Sequence, residues 1–391
     1  MSSAMETIND IFREFGKEYI KSRKLSVRAR KVIHDILFCR TEALGGRTDK
    51  CDNCGYVSVY YNSCRNRHCP QCQFIKKEEW ILAKQKDILP FQYFHAVFTL
   101  PDKLNPIVIR NKKLIYTLLF QSVKQTLLSV SSEDKYLGAK IGFFSILHTW
   151  GQKLNLHPHL HCVIPGGGYS EKKNKWISCS KDYLLPIEVL RVRFRSIFLT
   201  NLKKILINLY LSGTLYNERH QFQRLIDNLF KCKWVCYIKE SFKSSDSVIR
   251  YLAKYTHRIA LSNNRIFKIE DRKVTFIYKD YADGNKKKLK TLDVFKFMNK
   301  FLLHVVPYRF VRIRYYGILS HRNKKKEIEA CREYFNIESP IKKHSGDMYW
   351  KDIYLEITGK DISKCPVCGE GNMMLLCYFD KPPPGFARIC I

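Results

Sequence analysis

Between Cys51 and Cys72 the chain follows the pattern C-x2-C-x9-C-x3-H-C-x2-C, formed by Cys51, Cys54, Cys64, His68, Cys69 and Cys72. Paired CxxC turns in a chain that is neither small nor secretory point to metal rather than to disulfides. Zn²⁺ takes four soft or borderline ligands tetrahedrally, and two such turns can each supply two thiolates. Cys51, Cys54, Cys69 and Cys72 are therefore the preferred set. Cys64 and His68 are surplus to one tetrahedral site: either can replace a preferred ligand, or the cluster can bind a second ion. Four cysteines close the coordination sphere, so the metal is structural. A second group lies near the other end, where Cys365-Pro-Val-Cys368-Gly369 reads as a zinc knuckle. Cys377 and Cys390 are its nearest candidate partners, with a pair of free thiols as the alternative.

The chain has 391 residues, enough for two or three domains, and 45% of them are apolar, as in a globular protein. Lys and Arg total 69 against 36 acids, a net charge of +33 with a pI near 9.6. This excess favours a polyanionic partner, because each neutralised phosphate releases condensed counterions. Charge alone does not separate DNA from RNA or an anionic membrane surface. No run approaches the roughly 18 apolar residues of a membrane span. The segment Met1 to Arg13 lacks the apolar stretch of a signal peptide. The expectation is a cytoplasmic protein without a membrane partner, associated with the nucleoid of a prokaryotic cell.

Ile8, Ile11, Phe12, Phe15 and Tyr19 recur at helical spacing, as do Val32, Ile33, Ile36 and Leu37, so two short helices precede the first cysteines. A third is expected over Lys76–Leu89, ended by Pro90. Beyond it, Phe94–Leu100, Ile141–His148 and His159–Ile164 read as strands, with helices near Lys112–Leu128 and Pro186–Leu211. A strand at Lys233–Lys239 leads to a helix at Ser247–His257. Arg265–Ile269 and Lys273–Tyr278 read as a hairpin, followed by a helix at Leu292–His304 and a strand at Phe310–Tyr316. The polar stretch 320–350 reads as a linker. The fold class is α+β: a central, mainly antiparallel sheet flanked by helices, preceded by a small helical zinc-binding domain and followed by a short zinc-knuckle tail. The expected boundaries are 1–90 for a zinc-bearing DNA-recognition domain, 91–320 for a catalytic domain and 321–391 for the tail.

Two motifs carry chemistry. In the stretch His148–Pro165, His159 and His161 stand two apart on a strand and so share one face. His148 ends the preceding strand, and the intervening loop can fold it back opposite the pair. Three imidazoles then hold one divalent cation with open positions, the arrangement that polarises a scissile phosphate. His157 is a loop residue suited to orienting the site, and His95 can supply a ligand in place of His148. The second motif, Arg250-Tyr251-Leu-Ala-Lys254-Tyr255-Thr-His-Arg258, puts two phenols on one helical face about 5–6 Å apart at Cβ. A phenol with its pKa near 10 is a poor nucleophile until a metal stabilises the charge developing on the phosphate. Lys254, Arg258 and Arg265 surround this pair with positive charge, and Arg65 and Arg67, with Lys76 and Lys77 beyond, suit DNA backbone; a solvated basic face is the plain alternative for both groups.

Five stretches together resemble the two-tyrosine, histidine–hydrophobic–histidine transposases of rolling-circle insertion sequences. They are Tyr61–Cys72, Phe94–Pro101, the histidine motif, Tyr251–Arg258 and Phe310–Gly317. The resemblance implies that His159 and His161 bind the catalytic metal, with His148 as the preferred third ligand, and that Tyr251 and Tyr255 attack DNA. It also implies an antiparallel sheet of the histidine–hydrophobic–histidine nuclease type, with the histidines at its centre and the tyrosine helix alongside. Imidazoles alone suit Mn²⁺, Zn²⁺ or Ni²⁺ better than Mg²⁺; the resemblance implies Mg²⁺ or Mn²⁺, with Zn²⁺ as the structural ion. The expected partner is single-stranded DNA at element ends and target, nicked and rejoined through a 5′-phosphotyrosine. A plasmid rolling-circle replication initiator or relaxase shares the catalytic pair but not the zinc head. A non-enzymatic zinc-ribbon regulator is the reading from another class.

Overall fold

The computed structural model describes residues 6–72, 92–180, 183–211, 216, 218–242, 260–320 and 350–380, with 329, 331, 333 and 335 between the last two spans. In chain order the described elements begin with helices α1 (Ile8–Lys21) and α2 (Val27–Leu37) and strands β1 (Gly46–Cys51), β2 (Val57–Tyr61) and β3 (Tyr93–Thr99). Helices α3 (Asn105–Arg110) and α4 (Lys112–Ser132) lead to β4 (Lys140–Trp150), β5 (Leu156–Pro165), β6 (Gly167–Ser170) and β7 (Lys175–Ser178). Then come α5 (Ile187–Lys204), α6 (Arg219–Lys231), β8 (Val235–Phe242), β9 (Ile266–Glu270), β10 (Lys273–Asp280) and β11 (Lys286–Asp293). Helix α7 (Val294–Leu303), β12 (Ile313–Gly317), α8 (Trp350–Thr358) and β13 (Met373–Phe379) complete the series. The chain is of the α+β class, and every pairing among the described strands is antiparallel.

Two compact units divide the chain, one of 1–82, 257–305 and 342–391, the other of 83–256 and 306–341. This differs from the three consecutive domains expected, and the reason is packing. In the first unit α1 begins with a capping box, in which Thr7 accepts from the Asp10 backbone and the Asp10 carboxylate accepts from the Thr7 backbone. Its apolar face buries Phe12 against Phe301, with ring centroids 5.4 Å apart, and Tyr19 against Phe295 at 5.3 Å. Both partners lie on α7, so α7 and the β9–β10–β11 sheet before it join the N-terminal helices. The first unit also holds a three-stranded sheet in the order β13-β1-β2, so the zinc-bearing head is not purely helical.

The second unit is built on a larger sheet in the order β7-β6-β4-β5-β3-β8, with β12 pairing to β4. Helix α4 packs on β4, β5 and α5, and α5 packs on β8 and α6. Trp234, just before β8, is buried against Phe194 and Phe198 of α5. Arg314 of β12 lies over Phe120 of α4, its guanidinium carbon 4.3 Å from the ring centroid. The long central strands β4 and β5 are buried along nearly their whole length, which is why their sequences read as apolar runs.

Candidate active site and metal centres

The β4–β5 hairpin sets the histidines in place. Its loop is only 151–155, shorter than the sequence suggested, because β4 continues to Trp150 and β5 begins at Leu156. Gly151 leaves space there for the Asn155 side chain, whose Oδ1 would lie 2.4 Å from a Cβ and would have to move if one were present. The register pairs His148 directly with His159, and His161 follows two residues on, on the same face. Ligand nitrogens of His148, His159 and His161 all lie within 4.8 Å of one another.

The surrounding hydrogen bonds decide which nitrogens face inward. Nδ1–H of His159 donates to the backbone carbonyl of His157 at 2.6 Å, leaving Nε2 for a ligand. His157 thus lies in β5, not in a loop, and its main chain makes this contact. Nδ1 of His161 is 2.8 Å from Nε2 of His95, so His95 stands behind His161 and is not one of the converging three. The His148 ring stacks on Trp150 with centroids 4.6 Å apart. Burial pushes the His159 imidazole down to about 3, and burial with the nearby Lys239 charge pushes His95 down to about 4. Both rings are therefore neutral at physiological pH, the form in which an imidazole binds a metal or accepts a hydrogen bond. Three imidazoles converging from two strands fit a divalent cation with open positions. Tyr251, Tyr255, Lys254 and Arg258 lie outside the described residues, as do Lys76, Lys77 and Cys390.

Among the described residues the cysteines make two clusters, and neither is the expected set. Cys69 and Cys72 converge with Cys64 and Cys39, whereas Cys51 and Cys54 converge with Cys365 and Cys368. The grouping follows from strand pairing: β1 ends at Cys51 and pairs with β13, which brings the distant CxxC to Cys51 and Cys54. Cys64, read as surplus, is a member of the first cluster; the buried His68 belongs to neither. Cys377 is exposed on β13, paired to Thr48 and outside both clusters. Cys39 escaped the sequence reading because it has no CxxC companion and precedes the pattern by a whole helix-to-strand connection.

A tetrahedral zinc with Zn–S near 2.3 Å requires sulfurs about 3.8 Å apart. In the first cluster Cys39 and Cys72 are 3.4 Å apart and Cys64 and Cys72 3.5 Å. In the second, Cys51 and Cys368 are 3.7 Å apart and Cys54 and Cys365 3.6 Å. Both fit the ion. Contact with Cys39 pulls the Cys72 thiol far below its ordinary range and pushes Cys64 far above it, as expected of acidic groups crowded together. Backbone N–H groups of Gly371 and Glu370 lower Cys368 to about 6.

The basic candidates divide. Arg65 is exposed in a left-handed conformation, with φ of 52°, beside Cys64. Arg67 is half-buried, with its pKa lowered by burial and then by Arg28. Arg265, in the turn just before β9, donates from Nε to the Ile277 carbonyl of β10 at 2.7 Å. No described helix is long and apolar enough to cross a membrane.

Comparison with known proteins adds the family. A model described as "Putative transposase" matches residues 142–327, which include the histidine hairpin, and one described as "Transposase zinc-binding domain" matches 11–100. The first cysteine cluster lies wholly inside that second span, and Zn²⁺ is the structural metal this domain carries. The chain is 41% identical over 386 residues to "Putative transposase y4qJ" of Sinorhizobium fredii, covering 97% of each chain. It is 25% identical over 357 residues to "Transposase for insertion sequence element IS801" of Pseudomonas savastanoi pv. phaseolicola, covering 87% of this chain and 81% of that one. No solved structure matches the chain significantly. The histidine hairpin, the cysteine head and a relative spanning the whole chain lead to one conclusion: this protein belongs to the IS91-type family of transposases.

Proposed function

We propose that this transposase nicks and rejoins single-stranded DNA through a 5′-phosphotyrosine, with Tyr251 and Tyr255 as nucleophiles and Mg²⁺ or Mn²⁺ held by His148, His159 and His161. The observation that carries the reading is the convergence of those three imidazoles. When bound, the ion supplies Lewis-acid polarisation of the scissile phosphate. The protein's own part begins with fixing the rings: the His157 carbonyl orients His159, and His95 orients His161. A tyrosine oxygen then bonds to phosphorus as the 3′ oxygen leaves and takes up a proton. The ester conserves the bond energy, so a free 3′ hydroxyl can reverse the attack on a target strand. Two phenols allow a second cleavage while the first end stays attached.

DNA recognition falls to the zinc-bearing unit. Arg65 and Arg67 flank its first cluster, and a second surface lies on the small sheet. There Arg47 of β1 stands in register between Tyr60 of β2 and Tyr378 of β13. Its guanidinium carbon is 5.3 Å from the Tyr60 ring centroid, and both tyrosines are exposed. An arginine between exposed aromatic rings suits unpaired bases, which stack on any π face. The working place of such a chain is the prokaryotic nucleoid.

The test is direct. Single-stranded oligonucleotides covering the flanks of the gene are incubated with the protein and Mn²⁺ or Mg²⁺, and adducts that survive denaturant are sought. Adducts should form with the intact chain and disappear in the Tyr251→Phe/Tyr255→Phe double variant and in His159→Ala, with DNA binding retained. Undiminished adducts in the double tyrosine variant would refute the reading.

A further inference from the structure

We propose that Cys51, Cys54, Cys365 and Cys368 hold a second structural Zn²⁺, one that fastens the C-terminal segment onto the zinc head. The "Transposase zinc-binding domain" match ends at residue 100, so half of these ligands come from outside the recognised domain.

The site is two copies of one turn. Cys51-Asp-Asn-Cys54-Gly55 and Cys365-Pro-Val-Cys368-Gly369 share the pattern CxxCG. Each glycine is left-handed, with φ of 73° at Gly55 and 74° at Gly369, a conformation that costs other residues energy. Each turn aims backbone N–H groups at sulfur: Cys54 to Cys51 Sγ, Val367 to Cys365 Sγ and Gly371 to Cys368 Sγ, all at 3.4 Å. Donors so placed stabilise thiolate rather than thiol, which is the form a zinc ion binds. The turns also grip one another. The Asp52 amide donates to the Asn372 carbonyl at 3.2 Å, and the Asn372 amide donates to Asp52 Oδ1 at 2.8 Å. Gly371 has no room for a side chain, because a Cβ would stand 2.4 Å from Cys51 Sγ.

The sulfur spacings of 3.6 and 3.7 Å match a tetrahedral zinc edge and are far from the roughly 2.05 Å of a disulfide. The fold also needs a fastening here. Strand β2 is exposed at most positions and β13 along nearly all of its length, so the small sheet has little apolar core to hold its edge strand. Zinc binding deprotonates the thiols, releases their protons to solvent and stabilises the closed form.

The experiment counts thiolate-bound metal in the full-length protein. Cobalt replaces zinc, and the sulfur-to-cobalt charge-transfer absorbance, which an all-histidine site does not produce, is measured per chain. The intact protein should bind two thiolate-ligated ions. Cys365→Ser/Cys368→Ser should lose half of the absorbance, while Cys377→Ser, altering an exposed thiol on the same strand, keeps all of it. Cys368→His, which preserves a zinc ligand, should still carry two metals. One thiolate-bound ion in the intact protein, or full absorbance in the double serine variant, overturns the proposal. Should that variant fail to fold, the cobalt titration endpoint of the intact chain decides alone, two ions supporting the site and one rejecting it. The assay needs no DNA, so its failure and that of the strand-transfer chemistry are seen separately.

Discussion

Nε2 of His95 and Nδ1 of His161 stand 2.8 Å apart, a hydrogen-bonding contact between rings 9° from parallel. They sit diagonally on neighbouring strands, since His95 pairs with Val163 and His161 with Val97. If His161 offers Nε2 to a metal, its Nδ1 carries the proton and His95 must accept. Burial keeps His95 neutral, so it can.

That assignment predicts the behaviour of two substitutions. His95→Ala removes the acceptor and should weaken Mn²⁺ binding by about 10- to 100-fold, the usual effect of losing a hydrogen bond behind a metal ligand. His95→Gln, which can present an acceptor oxygen, should recover most of the affinity. Titration of Mn²⁺, read from the paramagnetic signal of the free ion, distinguishes the two. Equal losses would mean that His95 serves packing only.

Thiol chemistry should sort the cysteines by environment. Cys162 and Cys236 are buried, and burial pushes both thiols up to about 12, so they should resist alkylation in the native protein even at pH 8. Cys377 is exposed and should react first among the described cysteines outside the two clusters. The eight clustered cysteines should become reactive only after a chelator has removed zinc. Peptide mapping by mass spectrometry reads each site. Prompt labelling of Cys51 or Cys69 in the metal-replete protein would contradict the cluster assignment.

The histidine geometry was legible because it rests on local rules. Alternation along a strand puts His159 beside His161, and a hairpin returns His148 to them. The cysteine pairing was not legible, because no local spacing encodes a contact between Cys51 and Cys368. The one available hint, a glycine after each CxxC, marks two turns of the same shape without saying that they meet. Strands β1 and β11 were missed for a related reason. Gly46–Cys51 carries Arg, Thr, Asp and Lys, and Lys286–Asp293 is rich in lysine, so neither shows the apolar alternation by which a strand is recognised. Their partners hold them in place. The α7 helix was anticipated, but its place in the first unit was not, since that depends on Phe301 meeting Phe12.

Gly317 closes β12 in a left-handed conformation with φ of 58°, and a Cβ there would lie 1.8 Å from the Ile141 carbonyl oxygen. The contact is with backbone, which cannot swing aside. Gly317→Ala should therefore separate the end of β12 from β4 and destabilise the protein by at least about 2 kcal/mol. A urea unfolding midpoint measures it. Gly284, also left-handed but with nothing within 4 Å of a Cβ, provides the control. Gly284→Ala should cost clearly less, and equal costs would mean that φ strain, not the carbonyl contact, sets the penalty.

The row Tyr60–Arg47–Tyr378 separates stacking from charge. Each base stacked on an aromatic ring contributes about 1–3 kcal/mol, so Tyr60→Ala or Tyr378→Ala should weaken binding of a short oligothymidine by about 5- to 150-fold. Because no charge changes, the slope of log affinity against log salt should remain that of the intact chain. Arg47→Gln should act differently. It removes a phosphate-neutralising charge, so the slope should fall by roughly 0.7, the single-strand value per contact. Asp49 tempers this expectation in a definite direction: it lies 3.1 Å from Arg47 and already compensates part of its charge, so the measured change should be smaller rather than larger. Fluorescence anisotropy at several salt concentrations gives both quantities. If the tyrosine variants bind as tightly as the intact chain, the bases stack elsewhere and this sheet touches at most the DNA backbone.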